Sequence, residues 1–355
     1  MAASFDIEQI LSLIEKNVNI SDLHLSGGES IAYRLNGEVI REEKAGKLSN
    51  ESMELILRQL LAGNPQRFDK FLGDKEADFA YISKTGIPYR VNAFFKTGRL
   101  GVVMRKINGT AKKVEELMFT DIADSIRKNV LNQKKGLYLV TGPTGSGKST
   151  SLVAMLEEIN QTRAENMITI EDPIEFVFSP KKCIISQREI GHDTWSFPNA
   201  LRASLREDPD IIFVGEIRDR ETAESALSLA ETGHLVFSTL HTNSAANTVN
   251  RLISFFPPEI QESVCDRLAA SLIGVQSQML VKSKMGSRVG IYELMLNTTS
   301  VRNNIKKKEI EQLDNIIETS SLIGMINLKK YTQRLIDKQI IDPKEVDWLM
   351  KGTSL

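Results

Sequence analysis

The sequence predicts an α/β protein of two domains, and three observations carry that expectation. At 355 residues the chain is too long for one ordinary hydrophobic core. Its first third contains short stretches that alternate apolar and polar residues, as antiparallel strands with one solvated face do. Its middle third contains short, wholly apolar strands separated by helical segments, the pattern of a parallel sheet covered on both faces.

Residues 1–107 read as the first domain. An amphipathic helix carrying Ile7, Ile10, Leu11, Leu13 and Ile14 leads into strands at Asp22–Leu25 and Ile31–Leu35. Asn36-Gly37, which accepts positive φ at both central positions, turns the chain into Glu38–Ile40. A second helix with Met53, Leu55, Ile56, Leu60 and Leu61 at helical spacing follows, then strands at Asp78–Ile82, Tyr89–Phe95 and Gly101–Lys106. Residues 108–120 read as a linker, opening with Asn108–Ala111. Residues 121–282 read as the second domain, with a helix through Ile122–Val130 and strands at Leu137–Val140, Met167–Ile170, Ile211–Val214 and Leu235–Thr239. Past Lys282 the pattern over 283–355 becomes helical and more polar, and its basic run Lys306–Lys308 reads as a solvated helix face.

Composition excludes several classes. Lys plus Arg number 45 against 46 for Asp plus Glu, a net charge of -1, so no overall field attracts nucleic acid or an anionic membrane. No apolar run approaches the roughly 18 residues of a membrane span, and Met1–Gln9 lacks the basic start and apolar stretch of a signal peptide. The expectation is a cytoplasmic protein without a transmembrane segment. The two cysteines, Cys183 and Cys265, form no C-x-x-C pair and read as small hydrophobes rather than zinc ligands.

The chemistry begins at Gly142, Pro143, Thr144, Gly145, Ser146, Gly147, Lys148, Ser149 and Thr150, which follow the strand Leu137–Val140 and precede a helix-forming segment. Glycines at this spacing turn successive backbone N–H groups onto a nucleoside polyphosphate, and the helix N-terminus adds partial positive charge. Lys148 then reaches the β- and γ-phosphates of ATP, and the Ser149 hydroxyl ligates Mg²⁺. A second strand must bring a carboxylate to the metal. Asp210-Ile211-Ile212-Phe213-Val214-Gly215-Glu216 supplies it, with glycine in the place of the usual aspartate and Glu216 as the ligand. A third strand ends in Glu171-Asp172-Pro173-Ile174-Glu175-Phe176, where open α/β sheets place their ligands, and Glu175 is the candidate to orient the attacking water. His234 and His241 bracket the strand Leu235–Thr239, which spans roughly 20 Å, so one phosphate does not reach both. His241, at the carboxyl end, is the better γ-phosphate candidate; His234 is kept as a nucleotide-binding candidate, with a structural hydrogen-bonding role as its alternative. Arg90, Arg99 and Arg105 on the first domain's strands are candidates to stabilise phosphoryl charge from a neighbouring subunit.

Taken in order, these strings resemble one family, the secretion ATPases that drive type IV pili, and within it the PilT/PilU branch. The segments are SDLHLSGG, YRLNGE and YRVNAF, then GPTGSGKST, ITIEDPIEF, QREIGHDTWSFPNALRASLREDPDIIFVGEIRDRET and AETGHLVFSTLHTNSA, running from Ser21 to about Leu280. The resemblance implies a PAS-like N-terminal α/β domain followed by a RecA-like P-loop ATPase domain with C-terminal helices. It makes Gly142–Thr150 the Walker A motif, Glu175 the catalytic glutamate, Glu216 the Walker B glutamate, and His234 and His241 the paired histidines. Arg90 and Arg105 keep the spacing of the family's N-terminal arginines, whereas Arg99 falls slightly out of it. A homohexamer is implied, acting on an inner-membrane platform protein and the pilus base from the cytoplasmic face, alone or beside a paralogous retraction ATPase. The A-I-R-N-L-I-R segment of retraction ATPases corresponds to Ser300-Val301-Arg302-Asn303-Asn304-Ile305-Lys306, with Asn304 replacing the leucine and Lys306 the last arginine. GEIRDRET, GHDTWSF and Ser254–Pro257 look more like the PilU paralogue. Other readings share the core: an assembly or type II secretion ATPase, which usually adds a long N-terminal domain and a four-cysteine zinc module, a type IV secretion ATPase of similar size, and a nucleotide-gated scaffold, which would lack Glu175 and Glu216.

Overall fold

Asp6 accepts a hydrogen bond from the N–H of Glu8 and starts helix α1 (Ile7–Glu15), whose Ile7, Ile10, Leu11 and Ile14 turn inward. In the computed structural model, which describes residues 6–17, 19–107 and 110–350, the chain forms two units. Ser49 caps α2 (Asn50–Leu60) and Asn64 caps α3 (Pro65–Asp74). The sequence reading does not contain α3. Its signal is compact: Pro65 in the first turn, Phe68 and Phe71 three residues apart and buried, and Lys75 in the left-handed conformation at the end.

The strands of the first unit are β1 (Ile20–Ser26), β2 (Ser30–Leu35), β3 (Glu38–Lys47), β4 (Glu76–Ile82), β5 (Pro88–Lys96) and β6 (Arg99–Lys106). They form one antiparallel sheet in the order β3-β2-β1-β6-β5-β4. Asn36 and Gly37, with φ of 50° and 89°, make the expected tight turn between β2 and β3. On β5 the pleat sends Tyr89, Val91 and Ala93 into the core with Leu23, Val102 and Met104, and leaves Arg90 outside. The unit is not a single cut of the chain after residue 107. It comprises residues 1–110 together with 171–177 and 188–195, and the second unit takes the remainder.

Residues 108 and 109, where the linker was expected to begin, lie outside the described residues, as do 1–5 and 351–355. Within 108–120 the chain already forms one helical turn, α4 (Val114–Leu117), before α5 (Thr120–Ile126), which continues into a π-helical stretch over Arg127–Leu131. The second sheet comprises β7 (Gly136–Thr141), β8 (Asn166–Glu171), β9 (Ile184–Glu189), β10 (Ile211–Val214), β11 (Leu235–Leu240), β12 (Leu272–Lys282) and β13 (Arg288–Leu296). Their order is β13-β12-β7-β11-β10-β8-β9, with β12, β7, β11, β10 and β8 parallel. The core strands β7, β10 and β11 are buried along their whole length, as their apolar composition predicts.

Helices α6 (Lys148–Thr162), α7 (Phe197–Ser204), α8 (Arg220–Glu231), α9 (Ala245–Ser254), α10 (Gln261–Ser271), α11 (Thr299–Lys306), α12 (Leu313–Thr319), α13 (Leu328–Asp337) and α14 (Asp347–Met350) complete the unit. One expectation is corrected here. The region past Lys282 does not turn helical at once, because Arg288–Leu296 pairs antiparallel with β12 over nine registered positions and closes that side of the sheet. Glu, Leu and Met in this segment favour helix weakly, and burial of the strand beside β12 outweighs that preference. Strand β9 is likewise absent from the sequence reading, its half-exposed residues giving no clear alternation.

Candidate functional site

The loop after β7 is built by conformations that only glycine adopts readily. Gly142 has φ of 147°, and a Cβ there would stand 2.2 Å from the carbonyl oxygen of Gln278. Gly147, at φ of 87°, is the N-cap of α6 and contributes no capping side chain, so the first N–H groups of the helix face the loop. Lys148 Nζ, in a side chain only 9% exposed, donates to the carbonyls of Gly142 at 2.8 Å and Pro143 at 3.2 Å. The Ser146 hydroxyl is buried with no hydrogen-bond partner among the described residues.

A support for this loop comes from a strand the sequence reading passed over. Gln278 Nε2 on β12 donates to the Ser146 carbonyl at 2.8 Å. Gln276 Nε2 donates to Gln278 Oε1 at 2.7 Å, and the Tyr138 hydroxyl on β7 donates to Gln276 Oε1 at 3.1 Å. All three side chains are buried, so the chain of hydrogen bonds leaves few amide groups unmet. The signal in the sequence was Gln276-Ser277-Gln278, two amides two residues apart on one face of an apolar run.

Parallel register brings three further segments to the same edge. Thr141 stands opposite Leu240, and Val214 opposite both Ser238 and Ile170, so β7, β11, β10 and β8 end together. Glu216 follows β10 and His241 follows β11. Glu216 Oε2 lies 3.5 Å from His241 Nε2, and its other oxygen pairs with Arg218. Glu216 Oε2 is also buried without a hydrogen-bond partner. The strand ends are tied by side chains: Ser238 donates to the Val214 carbonyl at 2.8 Å and Thr239 to that of Gly215 at 2.7 Å. His234 is not brought to this edge. It sits at the amino end of β11 with Nδ1 3.0 Å from the Leu229 carbonyl and 3.2 Å from Thr232 Oγ1, where it finishes the last turn of α8. The structural alternative for this histidine therefore describes its contacts.

In the first unit, Arg90 on β5 and Arg105 on β6 are register neighbours. Arg105 Nε donates to Asp22 Oδ1 at 2.7 Å. Burial opposes ionisation of Asp22, but hydrogen bonds from Ser21 and Arg105 and the Arg105 charge hold its carboxyl below the usual range. Arg99 stands at the other end of β6, opposite Lys96, and so is apart from the other two arginines. Arg90 Nη1 is 3.6 Å from Glu175 Oε1, both side chains being about half exposed, a geometry worth roughly 0–1 kcal/mol. The segment carrying Glu175 is held by a residue that sequence reasoning missed. Glu189, 2% exposed, accepts hydrogen bonds from the N–H groups of Ala80 at 2.9 Å and Ile174 at 3.1 Å, and burial raises its pKa. Nothing local in Gln187-Arg188-Glu189 marks that role, which depends on strand β4 more than a hundred residues earlier.

A parallel sheet whose P-loop follows a central strand, with a carboxylate and a histidine at the ends of the next strands, defines a RecA-like P-loop ATPase. The family model described as "Type II/IV secretion system protein" matches residues 7–338, and the chain belongs to that family of ATPases. It is 42% identical over 337 residues to the type IV pilus retractation ATPase PilT of Pseudomonas aeruginosa, covering 95% of each chain. It is 36% identical over 322 residues to the type IV pilus ATPase PilU of the same organism, covering 90% of this chain and 82% of the other. Among solved structures, that of the pilus retraction motor PilT with bound ADP superposes with a TM-score of 0.83 at 37% identity, covering 96% of both chains. Over the whole chain the identity to PilT is the higher of the two, although several local segments read closer to PilU.

Proposed function

We propose that this protein is an ATP-hydrolysing motor of type IV pilus retraction, working as a homohexamer at the cytoplasmic face of the inner membrane. The observation that carries the reading is the convergence of the P-loop, Glu216 and His241 at one sheet edge. The backbone N–H groups of Gly145–Thr150 hold the phosphates, Lys148 leaves its loop carbonyls for the β- and γ-phosphates, and His241 senses the γ-phosphate. Ser149 and Glu216 are the residues that would hold Mg²⁺, and Glu216 Oε2, buried, 3.5 Å from His241 Nε2 and accepting no hydrogen bond among the described residues, fits a hard cation that takes oxygen ligands. Held there, the ion would supply positive charge to the phosphoryl oxygens. Glu175 orients the attacking water and takes its proton, and Arg90 and Arg105 of a neighbouring subunit, with Arg99 at their margin, counter the phosphoryl charge.

The partners in this reading are the inner-membrane pilus platform and the pilus base, with a paralogous retraction ATPase as the companion of an accessory motor. No helix among the described residues is long and apolar enough to cross a membrane. Phosphate release by the wild type against Glu175→Gln tests the chemistry: turnover should fall at least about a hundredfold, and equal rates would sink the motor reading. Deleting the gene tests the direction of work. Excess surface pili would support retraction, and loss of pili would point to assembly instead.

A further inference from the structure

We propose that Glu293 is a positioning residue for the candidate nucleotide site: by holding the first N–H of α9 it sets the loop His241–Ser244, and through that loop the His241–Glu216 contact. Glu293 lies on β13, the strand that was not expected, and is 6% exposed. Its Oε1 accepts from the N–H of Ala245, the first residue of α9, at 2.7 Å. The side chain of Ser244, the N-cap, accepts from the N–H of Asn247, so the carboxylate meets a donor that the cap's hydroxyl does not take.

The first turn of α9 is tied in turn to the base of the P-loop. Thr248 Oγ1 lies 2.7 Å from the Ser244 carbonyl, 2.6 Å from Thr242 Oγ1 and 3.2 Å from Thr141 Oγ1, the last residue of β7 before Gly142. Glu293, Ala245 and this hydroxyl cluster thus join β13, α9, the His241 loop and β7 in one set of short polar contacts. The cluster touches no phosphate-binding atom. It fixes the backbone on which His241 is mounted.

A carboxylate aimed at a helix N-terminus in a buried place can respond to pH. Burial pushes the Glu293 carboxyl up to about 7, the Ala245 N–H opposes this, and Asp314 on α12 adds to the rise. Asp314 is the charged side chain facing it among the described residues. Strand β12 presents Ser277 opposite, α9 presents its backbone, and α13 packs Tyr331 on Tyr292, which points to the other face of the sheet. Ionised, Glu293 makes a charge-assisted bond to Ala245 and complements the α9 dipole; protonated, it makes a weaker one.

The inference rests on the ATPase reading above, and ATP hydrolysis by the full-length protein between about pH 5.5 and 9 tests it, with kcat and KM separated. The wild-type kcat should rise through a limb near pH 7. Glu293→Gln keeps an oxygen facing Ala245 but cannot ionise, so that limb should disappear and kcat should stay near the wild type's low-pH value at every pH. Glu293→Ala should lower kcat about tenfold at every pH with KM for ATP little changed. Binding of a fluorescent ATP analogue and the melting temperature, read on the same samples, show whether either variant is folded. If Glu293→Gln keeps the limb, or if folded Glu293→Ala keeps wild-type kcat or loses kcat and nucleotide affinity together, the positioning role is overturned. A wild type that hydrolyses no ATP overturns the motor reading and this inference with it, whereas an active wild type silenced by Glu175→Gln isolates a failure of the inference alone.

Discussion

Lys148 and its loop show what single residues reveal from sequence. The spacing of Gly142, Gly145 and Gly147 marked a phosphate-binding loop, and the structure has positive φ of 147°, 76° and 87° at those positions. The mutual distances of side chains were a different matter. Glu216 and His241 read as separate candidates on separate strands, and only parallel register places Glu216 Oε2 3.5 Å from His241 Nε2. Gln278 and Glu189 were missed because their partners, Ser146 and Ala80, lie 132 and 109 residues away. Lys148→Ala is expected to weaken binding of a fluorescent ATP analogue at least about tenfold and to abolish turnover, since no other P-loop side chain supplies a cation to the phosphates. Retained affinity would reassign the loop. Gly142→Ala should be worse than its size suggests, because the added Cβ meets the Gln278 carbonyl at 2.2 Å in a backbone conformation alanine avoids.

At the scale of elements, the sequence pattern was readable where burial was one-sided or complete, and ambiguous between. The strands β5, β6, β7, β10 and β11 follow from alternation or from unbroken apolar runs. Strand β13 did not, since Ile291–Leu296 satisfies a helix nearly as well until β12 pairs with it. Helix α11 shows the converse: Val301 and Ile305 form its buried face, so the polar Asn304 in place of leucine costs little there and donates to the Ser300 carbonyl at 2.9 Å. The buried Glu293 on β13 makes a stability prediction of definite sign. Its folded pKa of about 7 exceeds the ordinary 4.5, so between those values the folded state binds more protons than the unfolded. The stabilisation is full below about 4.5 and is lost as pH rises through about 7. The shift, 7 − 4.5, corresponds to about 3 kcal/mol in order of magnitude. Glu293→Gln should therefore raise the melting temperature at pH 8 and flatten its pH dependence; denaturation curves at pH 5 and pH 8 measure both. The same variant loses its kinetic limb near pH 7, a trade of pH response for stability.

The whole molecule is two units whose boundaries do not coincide with one position in the chain. Segments 171–177 and 188–195 belong by their contacts to the first unit, carrying Glu175 and Glu189 with them. A cut after residue 107 could not show this, because those segments are assigned by where they pack rather than by composition. The ring proposed for this protein makes a prediction at the same scale. Arg90→Ala and Glu175→Gln should each be inactive as pure samples, yet mixing the two and allowing subunits to exchange should restore part of the ATPase activity if arginine acts on a neighbour's nucleotide. No recovery on mixing would place Arg90 and Glu175 in service of the same subunit's site.

The sequence by itself determined the α/β class, the P-loop and its nucleotide chemistry, the acidic residues at strand ends and the membership of the secretion ATPases. These follow from local rules: glycine conformations, strand periodicity and the fixed order of short strings. The tertiary structure decided which side chains meet. It paired Glu216 with His241, gave His234 the Leu229 carbonyl and Thr232 as partners, set Gln278 under the P-loop and placed Glu293 beneath α9. The contacts of Glu216, Gln278 and Glu293 depend on sheet order and register, which arise from packing between segments remote in sequence, so no local rule names the partners.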